Sequence, residues 1–493
     1  MRIYSKEIAD RLAEILKEVD SFDYLVNPFL RISKATPEQM KKYKIISAKF
    51  PRILTLIHLL IGIPISIVKI ISYVGASVFF RYQYRIYDSK PQKAEILFLS
   101  HAIGKNISEK DSDQFFARMP DYLDEKNRKI SIIYTNHNIF GYRNNNKLLS
   151  LKNEGIDIHL IPKFLKPLEH FKYLSTVSSL SFKCLKHGLK LSFQAPSKSV
   201  LFVRSAIFFF NRSTYSNYLV AQRLKEYCRK LTVNSLIMTF EGHSYEQFVI
   251  HEIKKENPSI NIVLYQHSPI VSDHFGVEQF LRTNLEPMYI LTTGTLYESN
   301  FQSISSIPKF LVIGSDKAYP NPMVGRKDLK NQVLFAPEGT ILATFTFLKL
   351  INYLSLNCDK FNYVLRLHPN LKKNVLLTIW IKKLNFKSNF YLSTELLYED
   401  LMNSIFVFYR SSAVGIEALN SSAIPIFYGN LEQQGLNVLE KLSLEFPLTS
   451  SPAQALSVLN TNSYDLTIGD RTKNFTQIYS KIDYEKLDYL FII

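Results

Sequence analysis

The sequence is short of cysteine, tryptophan and acid. Its three cysteines, Cys184, Cys228 and Cys358, are scattered through 493 residues. They are too few and too far apart for a disulfide framework or a cysteine-based zinc site, and they point to a reducing compartment. Trp380 is the single tryptophan, although tyrosine (29) and phenylalanine (35) are plentiful. With 16 glycines and 20 prolines the chain is neither collagen-like nor linker-like. P-loop, HExxH and GxSxG patterns are missing. So is the Gly-rich dinucleotide fingerprint, which argues against an NAD enzyme. The first twenty residues have neither the apolar core nor the cleavage site of a signal peptide and read as an amphipathic helix with mixed charges.

What is present is a chain large enough for two ordinary domains with extensions. Hydrophobic residues make up 46% and charged residues 21%, a balance that favours a folded state. Bases outnumber acids by 60 to 43, a formal charge of +17 that favours anionic partners. The excess is uneven. Between Tyr24 and Lys90 stand eleven Lys and Arg and only two acids, Glu38 and Asp88. Inside that stretch Ile53 to Phe80 is an apolar run interrupted only by His58 and Lys69. Its length matches a bilayer. Pro64 and Lys69 near its middle, and cations at both ends, speak against a span and fit first a pair of buried helices, then a helix pair lying in an anionic leaflet.

After Pro91 apolar bursts alternate with polar segments of helical length. Ala94–Gly104, Lys129–Ile139, Ile156–Leu165, Val233–Phe240, Ser259–Tyr265, Pro287–Thr292 and Lys309–Ser315 have the form of buried parallel strands. A Phe-rich helical stretch falls around Ser199–Phe210 and Tyr218–Lys230. The polar, proline-bearing stretch Asp316–Asn331 reads as a linker. Beyond it the alternation restarts at Gln332 and runs to Asn430, and the residues past Ser451 look helical. This predicts an α/β chain with four parts: a helical N-terminal extension (1–90), a first doubly wound domain (91–320), a second (321–450) and a C-terminal helical segment (451–493) that packs back on the first. Ligands in such folds bind at the C-terminal ends of the strands.

Five loops that follow strands carry the chemistry. In Phe240-Glu241-Gly242-His243-Ser244, Gly242 permits a sharp turn. Glu241 or His243 there is a candidate for taking a proton from an attacking hydroxyl. In Tyr265-Gln266-His267-Ser268, His267 is suited to a phosphate or an acceptor hydroxyl. Glu338, Gly339 and Thr340 have the donors and acceptors to meet a sugar or ribose, or simply make a turn and cap. Arg366 and His368, two apart before Pro369, are expected on one face of a strand, a good site for a phosphate or carboxylate. Ser411 and Ser412 open a small-residue helix whose N–H groups and dipole favour a phosphate. Glu417 follows six residues past Ser411. Asp111-Ser112-Asp113 spells a DxD and reads as a solvated surface run. With no other cluster of ligand types, no metal is expected.

The series EG, YQHS, RLHP and SSAVGIEAL resembles bacterial surface-polysaccharide glycosyltransferases of the GT-B fold. It is most similar to the capsule and lipopolysaccharide group that includes polysialyltransferases and Kdo transferases, marked by acidic-Gly, HP and paired-Ser motifs. The resemblance covers roughly Pro91 to Asn430. It implies two Rossmann-like domains facing a cleft, with the acceptor on the first and the donor on the second. His368, Ser411 and Ser412 would hold the phosphate of a nucleotide sugar. An acidic residue before glycine would be the general base: Glu241, with Glu338 as the other candidate. His267 and Ser268 would lie on the acceptor side. Arg366 would suit the carboxylate of a CMP-activated acidic sugar; a UDP-sugar is the other donor considered. Teichoic-acid-type CDP-polyol transferases share an HP-type motif, and a non-catalytic scaffold is a further alternative. The expected partners are the nucleotide sugar, a glycan or lipid-linked acceptor and an anionic membrane surface, with no nucleic acid. The expected location is cytoplasmic, on the inner face of the membrane.

Overall fold

The computed structural model describes chiefly residues 94–102, 113–136, 156–318 and 331–491, with short gaps, and isolated earlier positions such as Leu12, Asn27 and Leu60. The amphipathic reading of the first twenty residues, most of the Ile53–Phe80 run and most of the Asp316–Asn331 linker lie outside the described residues.

Two all-parallel sheets organise the chain. The first takes β1 (Ile96–Ala102), β2 (Ile130–Asn136), β3 (Asp157–Leu160), β4 (Ser235–Thr239), β5 (Asn261–Tyr265), β6 (Tyr289–Thr292) and β7 (Lys309–Val312). Their order is β3-β2-β1-β4-β5-β6-β7. The second takes β8 (Gln332–Ala336), β9 (Asn362–Leu365), β10 (Phe390–Leu392), β11 (Phe406–Tyr409), β12 (Ile424–Tyr428) and β13 (Leu448–Thr449) in the order β10-β9-β8-β11-β12-β13. Strands such as β4 and β11 are buried along their whole length. Their neighbours supply every backbone partner and both faces are covered, which is why they read as unbroken apolar bursts.

The helices are α1 (Met119–Glu125), α2 (Pro167–Leu191), α3 (Pro196–Phe208), α4 (Arg212–Leu231), α5 (Ser244–Glu256), α6 (Phe275–Leu281), α7 (Thr295–Gln302), α8 (Ile341–Asn357), α9 (Val375–Lys383), α10 (Leu397–Met402), α11 (Val414–Glu417), α12 (Pro452–Asn460), α13 (Ile468–Ile478) and α14 (Glu485–Leu490). The result is the expected α/β architecture: two doubly wound, Rossmann-like parallel sheets.

Strand order fixes where ligands can enter. In each sheet the direction of winding reverses once, between β1 and β4 in the first and between β8 and β11 in the second. At such a switch point the loops leaving the two strands diverge to opposite faces and leave a crevice. The loops after β4, β8 and β11, three of the five singled out in the sequence, start at these crevices.

The two sheets share a core. Tyr409, Ile416, Leu419 and Phe427 of the second sheet's region belong to the same apolar cluster as Phe240, Phe280 and Tyr297 of the first. The Asp273 N–H donates to the Gly435 carbonyl across the junction at 2.9 Å. The C-terminal segment spans both regions. Arg471 on α13 donates to the Ala423 carbonyl at 2.8 Å, and Ser480 N–H donates to Thr293 O. Leu487, Leu490 and Phe491 then pack with Phe98 and Phe116 against the first sheet. This return needs Gly314, whose φ is +94° and whose missing Cβ would stand 2.3 Å from the Lys481 carbonyl.

Candidate active site

The first crevice gathers carboxylate and imidazole. β4 delivers Glu241, and Gly242, at φ +73°, turns the chain beneath the start of α6; a Cβ there would lie 2.3 Å from Val277 N. α5 then begins, with His243 as its N-cap. Glu246 in its first turn accepts from Glu241 N–H at 3.0 Å and His243 N–H at 2.9 Å, which fixes the loop. Glu241 sits between two rings. His243 Nε2 is 2.9 Å from one carboxylate oxygen, and His267 Nε2, from the loop after β5, is 3.3 Å from the other. Ser268, next to His267, lies close enough to help keep the same carboxylate ionised. The structure thus brings together Glu241, His243, His267 and Ser268, four residues drawn from two loops of the sequence.

Their protonation follows from the surroundings. Burial works against an ionised Glu241, but the His243 hydrogen bond and the nearby His267 hold it well below the usual carboxylate range. Burial likewise opposes charge on His243, but the Glu241 hydrogen bond outweighs it and raises the ring to about 9. Burial pushes His267 down to about 4. Burial pushes Glu246 up to about 8. At neutral pH the crevice therefore holds a carboxylate, an imidazolium and a neutral imidazole whose Nδ1 is buried without a hydrogen-bond partner.

Sequence reading missed a second layer. His101, at the end of β1, sits across the switch point. Its Nε2 is 3.0 Å from the Tyr245 hydroxyl and 3.1 Å from Thr239 Oγ1, and its Nδ1 meets Thr135 Oγ1. The Phe115 ring stands edge-on to both His101 and His267, at 5.4 and 4.9 Å. A signal existed, because Ser100-His101 ends an apolar burst just as Glu241 does.

Asp113 corrects the reading of the DxD stretch. It is buried, not solvated. It accepts from the Ser100 and Tyr134 hydroxyls at 2.7 and 2.8 Å and from the N–H groups of Phe115 and Phe116 at 2.8 and 2.9 Å. It holds Phe115 in place. Asp111 and Ser112 lie outside the described residues. Among the described residues no group of three His, Cys, Asp or Glu side chains could hold a metal ion.

The second crevice lies between β8 and β11. Here the structure separates residues that the sequence groups. β9 stops at Leu365, so Arg366 and His368 do not share a strand face. Arg366 Nη1 turns aside to Asp400 Oδ2 at 2.8 Å and to the Glu395 carbonyl at 2.7 Å, a structural ion pair. Pro369, exposed beside His368, opens a 3-10 turn. The His368 ring lies instead on Gly339, where a Cβ would stand 2.8 Å from Nδ1. The His368 ring is exposed, and partial desolvation by its neighbours lowers its pKa, which keeps it neutral at pH 7.

Glu338 is likewise committed. Its Oε1 accepts from both Nε and Nη2 of Arg410, while Oε2 is buried without a partner. Thr340 caps α8, accepting from Ala343 N–H at 3.2 Å, which is the plain turn-and-cap role. Ser411 and Ser412 stand before α11, the small-residue helix expected there, which is a single turn. The Ser411 hydroxyl is buried and has no hydrogen-bond partner. Ser412 Oγ accepts weakly from Val414 N–H at 3.4 Å. Burial raises the Glu417 pKa, and Lys317 and Arg366 oppose it.

Lys317 links the two crevices. It follows β7, lies over the Tyr479 ring at 5.7 Å, and its charge acts on both His267 and Glu417. Lys317 is therefore the cation that the carboxylate cluster of the first sheet and Glu417 of the second have in common.

No protein-family model matches this chain, and no curated protein sequence matches it. Solved structures resemble it at low identity. The UDP-GlcNAc 2-epimerase of Methanocaldococcus jannaschii, in complex with UDP-GlcNAc and UDP, is 11% identical, with a TM-score of 0.46 over 80% of this chain and 99% of that one. MurG of Acinetobacter baumannii is 11% identical, with a TM-score of 0.44 over 81% and 99%. The lipopolysaccharide outer core galactosyltransferase WaaB is 8% identical, with a TM-score of 0.43 over 80% and 98%.

Proposed function

We propose that this protein is a glycosyltransferase that moves a sugar from a nucleotide donor to a surface-polysaccharide or lipid-linked glycan acceptor. The observation that supports the reading is that two chemically different clusters follow the switch-point strands of the two sheets. One offers a carboxylate between imidazoles, the other neutral donors.

The donor lies on the second sheet. Its phosphate sits among His368, the free Ser411 hydroxyl, Ser412 and the backbone at Gly339, with Pro369 shaping the loop, and Glu417 takes a sugar or ribose hydroxyl. The acceptor hydroxyl enters from the first sheet, beside His267 and Ser268. Its oxygen attacks the anomeric carbon as the bond from that carbon to the phosphate oxygen breaks. The hydroxyl proton passes to Glu241, the ionised carboxylate of that cluster, with His243 holding the charge in place. The negative charge that builds on the leaving phosphate is met by His368 N–H and the hydroxyls. Glu338 and Arg366, both spent on ion pairs, support the loops instead of touching the donor. A CMP-activated acidic sugar is the favoured donor and a UDP-sugar the alternative; Lys317 would face an acidic sugar in place of Arg366. The site is cytoplasmic, with the enzyme peripheral on the inner face of the membrane.

The test is thermal shift with CMP, CDP, UDP and GDP on wild type and His368→Ala. Stabilisation by one nucleotide, lost in the variant, supports the reading and names the donor class. CDP alone would favour a polyol phosphate. No response to any of the four would overturn the donor site and favour a scaffold.

A further inference from the structure

The most unusual exposed surface is α2. The helix has 25 residues. One face packs inward through His170, Tyr173, Val177, Leu180, Cys184 and Gly188. Gly188 lets α3 approach so closely that a Cβ would be 3.0 Å from Phe202 Cβ and Val203. The opposite face should then be polar. It is not. Leu168, Phe171, Phe182 and Leu189 are exposed at 82, 65, 67 and 49%. Steps of three and four residues from Leu168 reach Phe171, Ser175, Ser178, Phe182, Lys186 and Leu189, so they form one stripe.

The flank of the stripe is basic. Lys172, Lys183, Lys186 and Lys190 are exposed, and none has a carboxylate partner among the described residues. The one acid on the helix, Glu169, is held by Arg223 at 2.6 Å. Apolar side chains with unpaired lysines beside them match an interface of hydrocarbon and anionic headgroups. In the Ile53–Phe80 run Leu60, Ile65, Val68 and Ile71 are also helical and exposed, as are the other described positions there. No helix among the described residues is long and apolar enough to cross a membrane.

We propose that the exposed face of α2 docks on an anionic lipid surface, with Phe171 and Phe182 in the acyl boundary and the four lysines at the headgroups. This rests on the peripheral-membrane part of the proposed function and not on its transferase chemistry, whose failure it survives.

The experiment uses the full chain carrying Phe171→Cys. The native cysteines are all buried, so an environment-sensitive maleimide dye reports from this position. Vesicles of phosphatidylcholine with and without phosphatidylglycerol are then added. The expected result is a blue shift and brightening with the anionic vesicles only, reversed by high salt. Separately, Phe171→Ser with Phe182→Ser should lower vesicle affinity by about tenfold or more. Both side chains are exposed, so the fold should be unaffected. Vesicle binding without change in the dye, or unchanged affinity in the double variant, would overturn the proposal. So would a dye already in an apolar environment before lipid is added, which would mean that a second copy or another part of the chain covers the face.

Discussion

His243 donates through Nε2 to the Glu241 carboxylate at 2.9 Å, and each holds the other charged. The pair sits at the switch point of the first sheet, where β4 ends and α5 begins. An ion pair there has a pH signature as well as a chemical role.

For His243 the folded value, about 9, lies above the ordinary 6.5. Its contribution to stability is complete below the ordinary value and disappears as pH rises through 9. For Glu241 the folded value lies below 4.5, so its contribution is present above that and is lost on acidification. Tm should therefore be highest between these limits and fall from pH 7 to pH 10. His243→Gln should remove the part of the fall above pH 8, because Glu246, raised to about 8, adds to the fall below it. Melting curves of both proteins across that range check it, and parallel curves would contradict the pair.

Gly339 and His368 form the second contact to test. An added methyl at Gly339 would meet the imidazole and displace it. Gly339→Ala should raise the donor KM by about tenfold, the loss of one hydrogen bond to a charged group. Tm should change little, because the ring is at the surface and can move. Steady-state kinetics with the donor found by nucleotide screening decide it.

Arg366 should behave differently. Its partner Asp400 is almost fully buried. Arg366→Ala leaves that carboxylate unpaired and should cost about 3 kcal/mol of stability. Adding Asp400→Asn should recover part of the loss. Urea denaturation of the single and double variants measures the coupling. A variant with wild-type stability and a lost donor response would return Arg366 to the binding site.

Asp113 accepts four hydrogen bonds, one of them from the Phe115 N–H. Asp113→Ala leaves two buried hydroxyls and two N–H groups short of an acceptor. It should lower stability by about 3 kcal/mol. The same denaturation assay checks this, and a neutral effect would argue for the solvated reading of the DxD stretch.

The two sheets were legible because parallel strands buried on both faces leave unbroken apolar bursts, as in Val333–Ala336 and Phe406–Tyr409. The Glu241 cluster was legible because its members close strands β4 and β5, which are neighbours in space and adjacent in sequence. The second crevice was not. Arg366 is taken by Asp400, 34 residues downstream, and Glu338 by Arg410, 72 residues downstream. Nothing local in either loop announces such a partner. Asp113 sits in a polar stretch, and the groups that bury it come from β1 and β2. His101 escaped notice because its partners Thr135, Thr239 and Tyr245 come from other strands and α5. The α2 face has helical periodicity, but only the packing of α3 tells which side remains open.

The most direct measurement is the kinetic comparison of wild type, Glu241→Gln and His368→Ala with the donor identified by nucleotide screening. The account predicts a division of labour. Glu241→Gln should lose kcat by about a hundredfold or more while still being stabilised by the nucleotide. His368→Ala should lose nucleotide stabilisation and raise KM. Full turnover in Glu241→Gln, or unimpaired nucleotide binding in His368→Ala, would contradict the assignment of acceptor chemistry to the first sheet and donor binding to the second.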